Sequence, residues 1–174
     1  VMHGPSVLAE GRRKRKVYLI AFLDDATRLV PHAAFAFSET VAAFLGVFQT
    51  ALERRGIPER LYVDNGAAYR SHRLALVCAQ LGVTLIHTRP YDAPAKGKQE
   101  RFFRTVRMQL LPNLGEADLS SLEALNRRLW TYIEAEYHHS PHRGLDGETP
   151  LERWAQNASR VRLPPAGLDL ADLF

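Results

Sequence analysis

Leu61-Tyr-Val-Asp-Asn-Gly66 is a short apolar run that stops at a turn dipeptide, and it predicts a β-strand ending at Asp64. A second stretch, Pro94-Ala-Lys-Gly97, precedes Glu100, where a helical pattern begins. Residues 65–99 separate the two acids. One carboxylate at a strand end and another at a helix start can hold a divalent cation against phosphate oxygens.

The composition is that of an ordinary globular protein with one full core. The chain has 174 residues, 46% hydrophobic and 24% charged. No apolar run approaches the roughly 20 residues of a membrane helix, and no signal peptide opens the chain, so we expect no membrane partner. The opening Val1-Met-His-Gly4 has no helix start, and we expect it to be cut from a longer polypeptide. Cys78 is the single cysteine, which favours a buried thiol in a reducing compartment.

Basic residues are concentrated in two places. The net charge is only +4, yet Arg12 to Lys16 forms an unbroken basic run, which we interpret as a solvated hairpin tip that attracts polyanions non-specifically. Basic residues also surround Glu100. An acidic site ringed by positive charge indicates a polyanionic substrate. The residues of this second group are Lys96, Lys98, Arg101, Arg104 and Arg107.

The apolar pattern predicts a mixed α/β domain. A central strand is expected over 17–23, and the apolar stretch 28–37 pairs with it across a turn at Asp25. The basic run would join the central strand to another strand near Val1 to Leu8. Ser38 is expected to cap a helix that Gly56 ends. The remaining predicted elements are a strand over 60–63, a helix over 73–81 and a strand over 83–87.

A helix over 98–111 is predicted to be amphipathic. At about 100° per residue, Glu100, Arg104 and Arg107 share one side. The opposite side carries Phe102, Phe103, Val106 and Leu110. A last long helix is expected to open with a capping box at Ser120 and Glu123. We predict a core over 1–154, with a linker and the possible start of a C-terminal domain over 155–174.

Four stretches of the chain carry a recognisable pattern when taken together. In chain order, they are Asp24-Asp-Ala-Thr-Arg28, Asp64-Asn-Gly66, Pro90-Tyr-Asp-Ala-Pro-Ala-Lys-Gly-Lys-Gln-Glu100, and Tyr137-His-His-Ser-Pro-His-Arg143 with Thr149-Pro150 and Trp154 after it. This pattern resembles the retroviral-type integrase and insertion-sequence transposase catalytic core, a family within the RNase H-like polynucleotidyl transferases. The resemblance implies an RNase H-like α/β fold, a five-stranded mixed sheet with helices on both faces.

The family uses a triad of two aspartates and a glutamate, and the chain departs from this pattern. The resemblance assigns catalytic and metal-binding roles to Asp64 and Glu100. The first aspartate of the triad would immediately precede Val1, so we expect this chain to lack it through truncation. Asp24 or Asp25 is an alternative, although the family's own turn motif already accounts for both. Taken alone, each acid has a structural alternative. Asp64 before Asn-Gly is equally typical of a residue that stabilises a turn, and a glutamate at the position of Glu100 is typical of one that complements the helix dipole.

The implied cofactor is Mg²⁺ or Mn²⁺, as a two-metal site in the complete enzyme. Two hard cations need several anionic oxygens, so with only Asp64 and Glu100 we expect weak metal binding and little or no turnover. A zinc site is disfavoured. The cluster of His138, His139 and His142 has neither a cysteine nor a second ligand pair with zinc-finger spacing.

The basic residues near Glu100 have DNA-binding roles in this interpretation. Arg104 and Arg107 are expected to clamp phosphates, with a solvated basic face as the alternative. Lys96 and Gly97 fall in what resembles the family's flexible active-site loop. Tyr91 would stack on a base or sugar, or pack as an ordinary aromatic. Lys98 and Arg101 complete the predicted DNA-binding set.

The function implied by the resemblance is DNA transposition, with DNA end cleavage followed by strand transfer through transesterification. The partners would be transposon ends and target DNA, and the chain would act as a homodimer or higher oligomer. The location would be the bacterial cytoplasm, at the nucleoid when bound to DNA. Two alternatives remain open: an RNase H-like nuclease, and a non-catalytic DNA-binding or dimerisation remnant of a transposase.

Overall fold

The computed structural model describes residues 1–9, 13–88 and 93–174. Three strands come first, followed by helices that alternate with two further strands, which is the predicted order. The strands are β1 (Met2–Leu8), β2 (Lys14–Ala21), β3 (Ala33–Ala36), β4 (Arg60–Val63) and β5 (Thr84–His87); the helices are α1 (Val41–Arg55), α2 (His72–Gln80), α3 (Ala93–Gln109), α4 (Leu122–Ala135) and α5 (Pro150–Gln156).

The central strand β2 pairs antiparallel with β1 on one side and β3 on the other, so both predicted hairpins are present. It is longer at its start than predicted, because Lys14 to Lys16 are exposed strand residues rather than a turn. The predicted tip at Arg12 lies outside the described residues. Along β2, Leu19 faces one hydrophobic cluster and Ile20 the other, as the two-residue period of a strand requires.

The five strands form two sheets rather than the single sheet we predicted. In the described residues, β1, β2 and β3 form an antiparallel sheet, and β4 and β5 form a separate parallel pair. The register of β1 shifts between His3 and Ser6. Pro5, in this irregular segment, has no N–H for a ladder, and such bulges increase the local twist. This irregularity offers a physical reason why β1 does not continue the ladder into β4.

Helices cover both faces of the three-stranded sheet, as predicted. On one face, α3 and α4 pack with β1–β3 in a first cluster that includes Phe35, Phe102 and Tyr132. On the other face, α1 packs in a second cluster that also contains residues of α2, β4 and β5. Cys78 is buried in this second cluster, and burial raises its thiol pKa to about 11, as expected for an inert core cysteine. No helix of the described part has the length and apolar character needed to cross a bilayer.

The helix caps differ in detail from the sequence prediction. Thr40, not Ser38, caps α1, because its side chain accepts from the Ala43 N–H at 3.3 Å. Ser121, not Ser120, caps α4 and accepts from the Ala124 N–H at 3.0 Å. Gly56 ends α1 as predicted, with φ of 83° in the region that glycine tolerates best.

Helix α3 begins at Ala93, five residues earlier than predicted. Lys96 and Gly97 are therefore helical, and the prediction of a loop at these two positions is wrong. Pro94 is compatible with this start, because the first N–H groups of a helix have no intrahelical partner. The predicted division into faces is correct. Phe102, Phe103, Val106 and Leu110 are buried, whereas Glu100, Arg104 and Arg107 are exposed.

The C-terminal stretch that we assigned to a linker packs against the second cluster. Ile57 and Arg162 form an isolated antiparallel bridge, and Arg162 donates to the carbonyls of Pro58 and Leu81 at 2.9 and 3.0 Å. Leu170 is buried, and the Phe174 ring lies 5.9 Å from that of Phe48. The boundary at residue 154 stays a prediction.

Candidate functional site

Asp64 follows β4 directly, as its sequence predicted, and one of its oxygens shapes the next turn. Oδ1 accepts from the Gly66 N–H at 2.8 Å, so the turn-acid alternative is part of its role. Asn65 donates from Nδ2 to the Thr88 carbonyl at 2.7 Å, which ties the turn to the end of β5. The other oxygen of Asp64, Oδ2, makes no hydrogen bond to a described residue. Oδ2 can therefore accept a ligand.

The turn after Asp64 is closely packed. A Cβ added to Gly66 would lie 2.9 Å from Asp64 Oδ1 and 3.2 Å from the Tyr69 ring, so only glycine fits there without movement. The Tyr69 ring packs edge-on against Phe44 at 4.9 Å. Burial, with smaller contributions from Asp64 and Glu39, raises the Tyr69 pKa to about 12. Tyr69 therefore stays neutral and supports one side of the turn.

Glu100 lies on the exposed face of α3, whose first half is attached to the end of β2. Gln99 donates from Nε2 to the Ala21 carbonyl at 3.0 Å, and Lys98 Nζ lies 2.6 Å from Asp25 Oδ1. Lys98, which we predicted to bind DNA, is thus already paired with a carboxylate. These contacts fix the orientation of the helix that carries Glu100.

The α-amino group of Val1 responds to charges from two elements of the candidate site. Burial lowers the pKa of the Val1 α-amino group, while the charges of Asp64 and Glu39 raise it and that of Lys96 lowers it. Lys96 is one helical turn before Glu100, a spacing that puts both on the same side of α3. Val1 is therefore within electrostatic range of Asp64 and of the turn of α3 that precedes Glu100.

The other predicted site residues have different surroundings. Arg101, Arg104 and Arg107 are exposed and make no side-chain hydrogen bond or ion pair within the described ranges. Tyr91 lies outside the described residues. Asp24 accepts from the Thr27 N–H and hydroxyl at 2.9 and 2.6 Å, so it has the turn role that was the alternative to catalysis.

The described residues do not by themselves supply a complete metal site. Within residues 1–9, 13–88 and 93–174, no three or more His, Cys, Asp or Glu side chains are grouped so that they could hold a metal ion. His138 is fully buried, and its Nε2 accepts from the Val30 N–H at 3.0 Å. Burial, and after it the charge of Arg55, lowers the His138 pKa to about 4. This histidine therefore has a structural role.

One acid near the site was missed in the sequence. The charge of Glu39 acts on both Val1 and Tyr69, so it lies in the same region as Asp64. Glu39 precedes the cap of α1 and belongs to no motif. Only the packing of α1 beside the Asp64 turn brings it there, and no local pattern in the sequence could have indicated this.

Most of β1, all of β2–β5 and the Asp64 turn lie within residues 4–93. Residues 4–93, just over half of the chain, match a family model described as "Integrase core domain". The chain belongs to the integrase core domain family. Its fold is accordingly RNase H-like, and the family comprises the catalytic cores of integrases and transposases, as the sequence motifs indicated.

Relatives and solved structures agree with this assignment. The transposase of transposon Tn552 from Staphylococcus aureus is 29% identical over 127 residues, which are 68% of this chain and 26% of the transposase. The catalytic core of BIV integrase has a similar fold, with a TM-score of 0.64 at 20% identity over 91% of this chain and 95% of that core. The HTLV-2 integrase core in complex with magnesium has a TM-score of 0.59 at 20% identity, over 87% and 90%. The chain spans about a quarter of the length of the transposase that it matches.

Proposed function

We propose that this integrase core domain cleaves DNA ends and joins them to a target by metal-dependent transesterification. One observation carries the proposal: residues 4–93, which include Asp64 and end seven residues before Glu100, match the integrase core domain family. We assign Asp64 and Glu100 to one site on the strength of this family membership. Both are hard oxygen donors, which suit Mg²⁺ or Mn²⁺.

The proposed ligands fit such an ion. Asp64 has one oxygen without a described partner, and the Glu100 carboxylate is exposed. The HTLV-2 integrase core, which has a similar fold, is described in complex with magnesium. When bound, a pair of divalent cations would stabilise the charge that develops on the attacking and leaving oxygens. The third carboxylate would come from an aspartate joined before Val1, beside Asp64.

The reaction consists of two displacements at phosphorus. In cleavage, a water oxygen forms a bond to phosphorus, the bond from phosphorus to the 3′ oxygen breaks, and that oxygen leaves as a 3′-hydroxyl. In strand transfer, this hydroxyl attacks a target phosphorus and releases a new 3′-hydroxyl there. The number of phosphodiester bonds is conserved in the second step, so no external energy source or redox partner is needed.

The basic residues on α3 would hold the DNA in place. Arg104 and Arg107 share the face of Glu100, and their guanidinium groups match phosphate geometry. Arg101 and Lys96 add positive charge on either side of Glu100, whereas Lys98 acts chiefly through its pair with Asp25. Tyr91 is proposed to stack on a base or sugar.

Assembly and location are part of the proposal. Joining two DNA ends requires at least two active sites, so we propose a homodimer or a higher oligomer; the HTLV-2 core is described in a trimeric form. We place the protein in the bacterial cytoplasm, at the nucleoid when bound to DNA. With two of three carboxylates, the 174-residue chain itself is expected to bind metal weakly and to show no turnover.

A second candidate function is a DNA-binding or dimerisation remnant without catalysis. It is favoured by the lack of a three-ligand group in the described part of the chain. A nuclease of the same fold is a third candidate, which differs in stopping after the first displacement.

The activity of a chain lengthened by an aspartate before Val1 distinguishes these three candidate functions. With Mn²⁺ this chain should nick plasmid DNA and join oligonucleotide 3′ ends to it, and Glu100→Gln should abolish both reactions. Glu123→Gln, which removes an exposed acid in the first turn of α4, is the matched control and should leave them intact. Activity retained in Glu100→Gln would rule out the metal role. Nicking without joining would favour a nuclease of the same fold. The absence of both reactions would favour a non-catalytic remnant.

A further inference from the structure

A groove lies between α3 and the segment 140–144, and its lining contains no carboxylate. Its volume is about 560 Å³. A smaller pocket of about 180 Å³ adjoins it and shares Arg101, Thr105 and Arg143. The residues that line the larger groove are Arg101, Arg104, Thr105, Met108, Arg143 and Gly144.

Three arginines line this groove, and a fourth lies beside one of its lining residues. Arg101, Arg104 and Arg143 line it and are exposed, and no hydrogen bond or ion pair to another described residue engages their side chains. Arg28 approaches from the turn after β2: a Cβ on Gly144 would lie 3.7 Å from its Nη2. Like charges at this density repel each other, and an anion placed among them relieves the repulsion.

The backbone at Arg28 is held in an unfavourable conformation. Its φ is 61°, in the left-handed region that non-glycine residues rarely occupy. Three hydrogen bonds stabilise this conformation. Within the turn, the Arg28 N–H donates to the Asp24 carbonyl at 2.9 Å, and the Asp24 N–H donates to the Leu29 carbonyl at 2.8 Å. From outside the turn, the Tyr137 hydroxyl donates to the Arg28 carbonyl at 3.0 Å. Strained residues of this kind cluster at ligand clamps. The turn thus keeps an arginine next to the segment that lines the groove.

His142 adds a neutral donor beside the arginines. Its Nδ1 accepts from the Gly144 N–H at 3.0 Å, which places the ring proton of the neutral form on Nε2. Burial, then the charges of Arg28 and Arg101, lower the His142 pKa, so the ring is neutral at pH 7. His142 lines the smaller pocket, where Nε2–H can donate to an oxyanion.

We propose that this groove binds consecutive phosphates of a DNA strand, through Arg28, Arg101, Arg143 and His142. The inference rests on the proposed function, because its occupant is the strand whose neighbouring phosphate lies at Glu100. Arg101 follows Glu100 directly, and Arg104 lies about 6 Å from Glu100 along the helix axis. A strand that leaves Glu100 along this side of α3 therefore enters the groove.

Binding of a short duplex to the 174-residue chain, measured by fluorescence anisotropy over a range of salt concentrations, tests the groove. Arg143→Gln should weaken binding several-fold and make the salt slope shallower by about 0.9, the value for one lost phosphate contact. Arg160→Gln is the matched control. It removes an exposed arginine near the bridge at Ile57, at the opposite end of β4 from Asp64, and should change neither quantity.

A second measurement follows the ring signals of His142 by NMR. DNA should shift them in the wild-type chain, and in Arg143→Gln the same shift should need a several-fold higher DNA concentration. The inference is overturned if Arg143→Gln matches Arg160→Gln in affinity and slope. It is also overturned if DNA leaves the His142 signals in place, or if polyglutamate competes as well as DNA, which would indicate an acidic protein partner.

The two proposals fail in distinguishable ways. The groove measurements are made without metal, and they depend on Arg143 rather than on Glu100. Loss of the groove effect with cleavage still dependent on Glu100 would refute only this inference. Activity that does not depend on Glu100 would refute the proposed function and leave the groove as a DNA-binding site.

Discussion

The two faces of α3 have opposite surroundings although they alternate along the same 17 residues. Phe102, Phe103 and Val106 are buried in the first cluster, and the Phe102 ring lies 5.0 Å from that of Tyr137. Glu100 and Arg104 are exposed and engage no described partner. One set of side chains on this helix therefore stabilises the fold, and a separate set would take part in the proposed chemistry. Either set can therefore be changed while the other is kept.

The largest expected effect is on the buried face. Phe102→Ala should lower the free energy of unfolding by about 3–5 kcal/mol, because it removes a packed aromatic ring and leaves a cavity. Phe102 is 2% exposed, whereas Met108, on the same helix, is 64% exposed. Met108→Ala should therefore change the stability by less than about 0.5 kcal/mol. Urea denaturation of both variants measures the comparison.

Equal losses in the two variants would contradict the division of α3 into faces. A small loss in Phe102→Ala alone would mean that the first cluster closes over the missing ring. Either result would weaken the argument that packing of this helix holds Glu100 in position.

A smaller effect is expected from the exposed face, and it should appear in binding rather than in stability. The double variant Arg104→Gln with Arg107→Gln should flatten the salt dependence of DNA affinity by about 1.8, at about 0.9 per lost phosphate contact. Its free energy of unfolding should stay within about 0.5 kcal/mol of the wild type. Anisotropy titrations and urea denaturation measure the two quantities.

The control for this pair is Arg60→Gln with Arg160→Gln. Both arginines are exposed, and both lie near the end of β4 that is remote from Asp64. The same charge is removed in both double variants, so an equal change in slope would mean that only net charge matters. In that case Arg104 and Arg107 do not contact phosphates.

The features that the sequence predicted well are set by neighbours along the chain. The faces of α3 follow from the helical period, and the strand before Asp64 follows from a short apolar run and a turn dipeptide. The motifs at Asp24, Asp64 and Glu100 follow one another along the chain in the order typical of the family, and this order made the family recognisable from the sequence. Local chemistry was sufficient for these features.

The features that were missed depend on contacts between distant segments. The separation of β1 from β4 depends on strand pairing, which no local pattern fixes. The effect of the Glu39 charge on Tyr69 and the ion pair of Lys98 with Asp25 arise only once the elements pack together. The position of Arg28 beside Gly144 joins residues more than a hundred positions apart. The predicted helix caps were wrong by one or two residues, because more than one serine or threonine near each helix start can act as the cap.

The most direct test of the account is where Mn²⁺ binds on the 174-residue chain. Paramagnetic broadening of backbone amide signals by NMR should affect residues 64–66 and 96–101 together, at the same metal concentration. Asp64→Asn and Glu100→Gln should each weaken the broadening of both sets, whereas Glu123→Gln should leave both unchanged. Broadening of only one set, or of two sets at different concentrations, would contradict a shared metal site at Asp64 and Glu100.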